Sequence, residues 1–159
     1  MYNFLKKSTL LTCLLLCLLF CLLWSTAITV KAQQSERFDN YELHFSVVNT
    51  TFLDPDIAAQ YGIVRGKRRG IVNIAVREHV EGKGDAEAST VPMALKGRTW
   101  DLISEQPMDF IEINEGSAVY YIGDFKFINR EWRWFELTFR PQGADKTYTH
   151  KFKHQLYIN

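Results

Sequence analysis

The sequence predicts an all-β domain, an immunoglobulin-like antiparallel β-sandwich of about seven or eight strands with one short helix, behind an N-terminal export leader. Three observations carry this reading. Apolar and polar residues alternate at a period of two along most of the chain after residue 40. Gly, Asn and Pro clusters punctuate that alternation at short intervals. Only one segment carries helix signals. A small closed barrel satisfies the same alternation, which does not say whether a sheet closes.

The leader comes first in the chain. Lys6 and Lys7 precede an apolar run over residues 10–24, and residues 25–32 turn small and polar. Val30-Lys31-Ala32 fits a small-x-small cleavage site, so a secretory signal peptide over 1–32, cut after Ala32, is expected. The run is shorter than the roughly 20 residues of a spanning helix, although Ile28 and Val30 extend it toward an uncleaved anchor. Cys13, Cys17 and Cys21 are the only cysteines and all lie in this run. They follow Thr12, Leu16 and Phe20, not the small residue that lipid attachment needs. The chain beyond Ala32 therefore excludes disulfides, thiolate metal sites and a cysteine nucleophile.

Removing 1–32 from the 159 residues leaves 127, one domain with room for a core. The leader holds three lysines and no acid, so the 19 basic and 18 acidic residues of the chain leave a net charge of −2 beyond Ala32, with His neutral. That balance gives no overall pull toward nucleic acid or an anionic membrane. No membrane span is expected after cleavage.

Residues 33–40 are polar and read as a loose N-terminus. In 41–48, Tyr41, Leu43, Phe45 and Val47 share one face while Glu42, His44 and Ser46 share the other, a half-buried strand. Asp54-Pro55 opens a helix of one or two turns, since Asp caps and Pro suits the first helical position; Gly62 stops it. A strand over 70–77 carries Val72, Ile74 and Val76 on one face. The charged stretch 78–86 reads as an exposed turn. Weaker strands follow near 87–95 and 98–103; Pro92 marks the first as an edge or bulge. Residues 108–113 form another strand, turned at 114–116.

The strongest stretch is 118–140, interrupted at 129–131. A three-residue loop there places Phe125 and Phe127 on one face with Phe135, Leu137 and Phe139, leaving Asp124, Lys126, Trp132, Trp134, Glu136 and Arg140 on the other. A two-residue loop would flip one half, and each buried aromatic contributes roughly 2–3 kcal/mol. The first register, a hairpin ending at 141–143, is expected. A last strand covers 147–158.

The segments Asn49-Thr50-Thr51-Phe52-Leu53, Tyr61-Gly62-Ile63-Val64-Arg65 and Arg69-Gly70-Ile71-Val72-Asn73-Ile74, with Ala118-Val119-Tyr120-Tyr121-Ile122, give the chain its family likeness. It resembles a family of exported proteins of Gram-negative bacteria known only as domain of unknown function 4426. The resemblance covers most of the chain beyond the leader. It implies a periplasmic β-sandwich, and neither an activity nor a catalytic residue.

Several side chains are candidates for function. Trp132 and Trp134 fall on the charged face of their strand, where a partly exposed tryptophan anchors a protein or glycan partner, unless Lys126 or Arg140 stems or a loop pack over it. Arg65, Lys67, Arg68 and Arg69, flanked by Gly62, Gly66 and Gly70, are suited to a phosphate or an acidic partner, or form a plain solvated loop. No P-loop is present, because no Gly-Lys-Ser/Thr follows and the next element is a strand.

On the last strand, His150 and His154 share the apolar face with Tyr148, Phe152, Leu156 and Ile158. Imidazole suits Zn, Cu or Ni. Their Cα atoms stand about 13 Å apart on a regular strand, too far for one ion bound at about 2 Å, so core-rim histidines are expected and no cofactor. A metal-delivery protein using either with His44, His79, Met93 or Met108 is the alternative. Asn49-Thr50-Thr51 matches a glycosylation acceptor without meaning in a bacterial protein. Ser35, Ser46, Ser89, Ser104 and Ser117 lack a nucleophile-elbow pattern, and the acids are scattered, so no catalytic constellation is recognisable. The expected function is a non-catalytic periplasmic module that binds an envelope protein or component, with an enzyme of unrecognised type as a further alternative.

Overall fold

The computed structural model describes residues 34–80 and 89–158. The leader and most of the charged stretch 78–86 lie outside the described residues.

Ten strands form among the described residues: β1 (Gln34–Phe38), β2 (Tyr41–Asn49), β3 (Arg69–Glu78), β4 (Ser89–Thr90), β5 (Met93–Trp100), β6 (Glu105–Met108), β7 (Phe110–Glu115), β8 (Ala118–Lys126), β9 (Glu131–Pro141) and β10 (Tyr148–Leu156). All pairings are antiparallel. One sheet runs β1-β2-β3-β8-β7, with β4 beside the end of β3; the other runs β10-β9-β5-β6. Alternation decides what each strand buries. Leu43, Val72, Ile74, Val76, Phe135, Leu137 and Phe139 are all buried in one core. Rings meet across the two sheets: Phe125 lies 5.1 Å from Phe135, Phe45 4.4 Å from Phe152 and Phe38 5.2 Å from Phe139, centroid to centroid. Offset aromatic pairs of this kind add about 0.5–1.5 kcal/mol each beyond the area they bury.

The helix α1 (Pro55–Gln60) forms where Asp54-Pro55 predicts it: the Asp54 carboxylate accepts from the Asp56 and Ile57 amides at 2.8 and 3.4 Å. Gly62 at φ 65° ends it in the left-handed region. Ala58 and Ile63 bury a second small cluster with Ile71 on the outer face of β3.

Four expectations need correction. Residues 33–40 are not a loose terminus, since Gln34–Phe38 pair with β2 from Gln34↔Phe45 to Phe38↔Tyr41. Only Phe38 of that strand packs on the core, so an edge strand of polar residues carries no alternation to read. The strand expected at 87–95 breaks at Val91-Pro92, where the chain leaves β3 for the other sheet, and β5 then runs unbroken through Gly97 to Trp100. The strand expected at 108–113 breaks at Asp109, with Met108 in one sheet and Phe110 in the other.

The last correction concerns β8 and β9, which are no hairpin. β8 pairs with β3 and β7, and β9 with β5 and β10. Residues 127–130 carry the chain across the core, so the two inward faces oppose each other through space. The face assignment survives because burial, not pairing, fixes it.

Crossing at Asp109 wedges Phe110 between sheets. A Cβ at Gly97 or at Gly123 would stand 2.8 Å from the Phe110 ring, so both facing positions need glycine.

Candidate functional site

Strand β9 presents two unlike faces. Outward, Trp132 is 45% exposed and Trp134 half-buried. Lys153 of β10 lays its ammonium 4.9 Å from the Trp132 ring centroid, so a lysine covers this tryptophan in part, and it is neither Lys126 nor Arg140. Inward, Arg133 is only 3% exposed. Its guanidinium meets Glu131 Oε1 at 2.6 Å and Asp101 Oδ2 at 2.8 Å, and lies 5.9 Å from the Phe125 ring. Two carboxylates thus neutralise a cation that burial would otherwise penalise heavily.

Asp101 also shapes the turn between β5 and β6. Its Oδ1 accepts from the backbone amides of Ile103 and Ser104, each at 2.7 Å. Those amides, then the Ser104 hydroxyl and the Arg133 charge, hold the Asp101 carboxyl below its ordinary value against a smaller opposing effect of burial. The turn so held pushes Leu102 and Ile103 into solvent, 92% and 90% exposed. Beside them a cavity of about 290 Å³ is lined by Leu102, Ile103, Ile128, Arg130, Trp132 and Trp134. Two fully exposed neighbouring aliphatics on a pinned turn, next to a tryptophan, form an apolar patch of the kind that marks an interaction surface.

The basic run divides in two. Arg65 donates to the Thr50 and Thr51 carbonyls at 3.3 and 3.0 Å, and Arg69 pairs with Asp124 at 2.7 Å. Thr50 binds this loop from below, accepting from the Gly66 amide at 2.9 Å. Lys67 and Arg68 are exposed and have no ion pair among the described residues.

Of the histidines, only His44 and His79 come together, and His150 lies on the other side of the β1–β2–β3 sheet. His44 and His79 bring their Nε2 atoms within 3.4 and 2.9 Å of Glu42 Oε2 on the outer face. Burial raises the Glu42 carboxyl, but hydrogen bonds from Ser35 and His79 and the imidazole charges outweigh it, and the net shift is downward. His150 faces the core, 4.7 Å from Phe45 and 5.7 Å from Phe152. Burial holds both His150 and His154 below the usual imidazole range. Met93 and Met108 line a different cavity of about 500 Å³ with Phe110. Among the described residues, no three His, Cys, Asp or Glu side chains converge as a metal-holding group.

A ladder of charge crosses the outer face of the β10–β9–β5–β6 sheet. Arg98 binds Glu136 with two hydrogen bonds of 3.0 Å and Glu105 at 2.8 Å, and Lys151 reaches Glu136 at 2.7 Å. The Arg98 guanidinium, then Lys151, bring the Glu136 carboxyl down to about 2.

Sequence reasoning placed the tryptophans but missed Asp101, Leu102, Ile103 and the Glu131–Arg133 pair. One signal was there: stepping back by two from Phe135 puts Arg133 and Glu131 on the core face, where opposite charges demand each other.

The fold defines the class: a two-sheet antiparallel all-β domain. The chain belongs to the family described as a domain of unknown function, DUF4426, whose model matches residues 35–159. A DUF4426 family protein (PA0388) from Pseudomonas aeruginosa PAO1 is 27% identical, with 82% of this chain and 98% of that one aligned at a TM-score of 0.67. FetP of uropathogenic E. coli strain F11, recombinantly expressed in the periplasm of E. coli BL21(DE3), is similar in structure at 10% identity, TM-score 0.57, over 79% of this chain and 94% of that one. A copper-bound variant of FetP superposes equally, at 12% identity and TM-score 0.57 over 80% and 97%. At those identities the likeness is one of fold. No curated protein sequence matches the chain.

Proposed function

We propose that the chain is an exported, non-catalytic binding module of the cell envelope, and that its binding surface is the patch formed by Leu102, Ile103, Ile128, Trp132 and Trp134. The observation that carries this reading is the turn at 101–104, which Asp101 pins so that two aliphatic side chains stand in solvent beside Trp132. Exposing them is unfavourable in a free domain and favourable in one that covers them with a partner. Export is supported by the charged, apolar and small-residue segments of 1–32 and by the chain's resemblance to a family of exported proteins. FetP, the copper-binding neighbour, gives a metal reading less support here, because among the described residues no three His, Cys, Asp or Glu side chains converge.

Site-specific photo-crosslinking in the native host tests the proposal. A photoreactive residue at position 103 is expected to give a discrete adduct, while one at Ile111, exposed on β7, gives none. No adduct from a folded protein at position 103 overturns the reading.

A further inference from the structure

Both sheets end together at one pole of the sandwich. There β2 and β3 close at Asn49↔Gly70, β3 and β8 at Arg69↔Lys126, β9 and β10 at Glu131↔Leu156, and β5 meets β9 at Trp100↔Trp134. Hydrogen bonds sew these ends to each other: Asn49 Nδ2 to the Tyr157 carbonyl at 2.7 Å, the Phe127 amide to the Arg68 carbonyl at 3.1 Å, and the Ile158 amide to Asn129 Oδ1 at 3.0 Å. The turn at Thr50–Phe52, the basic loop, the crossing at 127–130, the 101–104 turn and Tyr157 therefore border one surface.

That surface is unlike the rest of the domain in two respects. Of the ten large hydrophobic residues exposed among the described residues, six stand here: Phe52, Leu102, Ile103, Ile128, Trp132 and Tyr157. Its charge is also predominantly basic. Lys67, Arg68 and Arg130 project without an acidic partner among the described residues, and Lys153 rests on Trp132. Of the acids nearby, Asp101 and Glu131 meet Arg133, Asp124 meets Arg69, Asp54 caps α1 and Asp56 lies in its first turn; with Arg65, Arg69 and Arg133 counted, the basic residues at this end still outnumber them. The net charge of −2 beyond the leader thus hides a cationic, apolar pole.

We infer that this pole docks on an anionic lipid surface, with Leu102, Ile103 and Ile128 entering the interface, Trp132 at headgroup depth, and Lys67, Arg68, Arg130 and Lys153 against the phosphates. The inference rests on the binding-module reading and names its partner. Charge complementarity and shape choose lipid over protein. The aliphatic residues project from loop tips with cations around them, the arrangement by which peripheral proteins seat in a headgroup layer, where tryptophan and tyrosine also prefer to lie. A protein hot spot instead needs a partner pocket for each anchor. Pinning by Asp101 means that little backbone freedom is lost when the turn inserts.

The test uses the exported protein as its host secretes it, sedimented with vesicles of phosphatidylglycerol and phosphatidylethanolamine or of phosphatidylcholine alone. Anionic vesicles are expected to bind it, with affinity falling as salt rises. Leu102→Asp with Ile103→Asp weakens binding at least about tenfold, as does Lys67→Glu with Arg68→Glu, since each cation near such a surface is worth a factor of several. Both pairs are exposed, so circular dichroism is expected to be unchanged. If one pair misfolds, the other still decides. Brominated lipid is expected to quench fluorescence in the wild type and much less in Trp132→Phe. Binding unaltered in a folded variant, or no binding to anionic vesicles, overturns the inference. Should vesicles fail while position 103 crosslinks to a protein, the lipid partner is wrong and the binding module stands. Should both fail, both readings fall.

Discussion

Asp101 and Arg133 pair at 2.8 Å, and the pair ties the exposed turn at 101–104 to a side chain buried on the core face of β9. One carboxylate oxygen folds the turn and the other neutralises the core cation. Surface shape and internal charge are therefore one problem with one solution.

Replacing Asp101 by Ala removes both roles at once. Arg133 keeps Glu131, so the loss is expected below that of an orphaned buried charge, at about 2–3 kcal/mol. Urea denaturation checks the magnitude. Hydrogen exchange at the Ile103 and Ser104 amides is expected to accelerate in the same variant, and an unchanged rate counts against the pinned turn.

Gly123→Ala is expected to destabilise by about 1–3 kcal/mol, because its Cβ meets the Phe110 ring at 2.8 Å and the Met108 methyl at 2.9 Å. Phe110→Leu shortens the wedge, so the double variant is expected to lose less than the sum of the two singles. A thermal-denaturation cycle measures the coupling, and strict additivity contradicts the wedge.

Phe135 and Trp132 lie three residues apart and should respond oppositely. Phe135 is fully buried and stacked on Phe152 at 4.9 Å, so Phe135→Ala costs about 3–5 kcal/mol. Trp132→Ala leaves the stability nearly unchanged, within about 1 kcal/mol. Comparable losses from both would show that Trp132 belongs to the core.

Acid acts in two separate windows. Burial lowers His150, against a smaller upward pull from Glu36, and lowers His154, from the ordinary value of 6.5. The unfolded chain then binds more protons than the folded one, so this contribution is complete above 6.5 and is lost as pH falls from there toward the folded values. Glu136 is at about 2 against an ordinary 4.5, so its contribution holds above 4.5 and disappears only as pH falls through that lower range. Denaturation midpoints measured from about pH 7 to 5 are expected to decline, and His150→Phe to flatten that decline without altering the loss at lower pH.

How much was legible follows from what alternation reports. It reports burial, so Phe125, Phe135, Leu137 and Phe139 went to the core and Trp132 and Trp134 to the outside. Asp54-Pro55 found the helix because capping is local. Alternation is silent on which sheet a strand joins: Met108 and Phe110 both face inward, from opposite sheets, and read as one strand. β1 was invisible because four of its five residues face solvent. The exposed Leu102 and Ile103 depend on Asp101, whose partner Arg133 is distant in sequence, and no local pattern announces that.

The crossings at Pro92, Asp109 and 127–130 also set a timetable. Sheet order β10-β9-β5-β6 places β9 between strands made earlier and later, so the β5–β6 hairpin has no neighbour in its own sheet until the chain from Glu131 onward arrives. Every earlier segment is half a sandwich with an uncovered apolar face. A chain that emerges from its N-terminus stays unfinished until its last hairpin is made. The final strands act as a latch that closes the domain last.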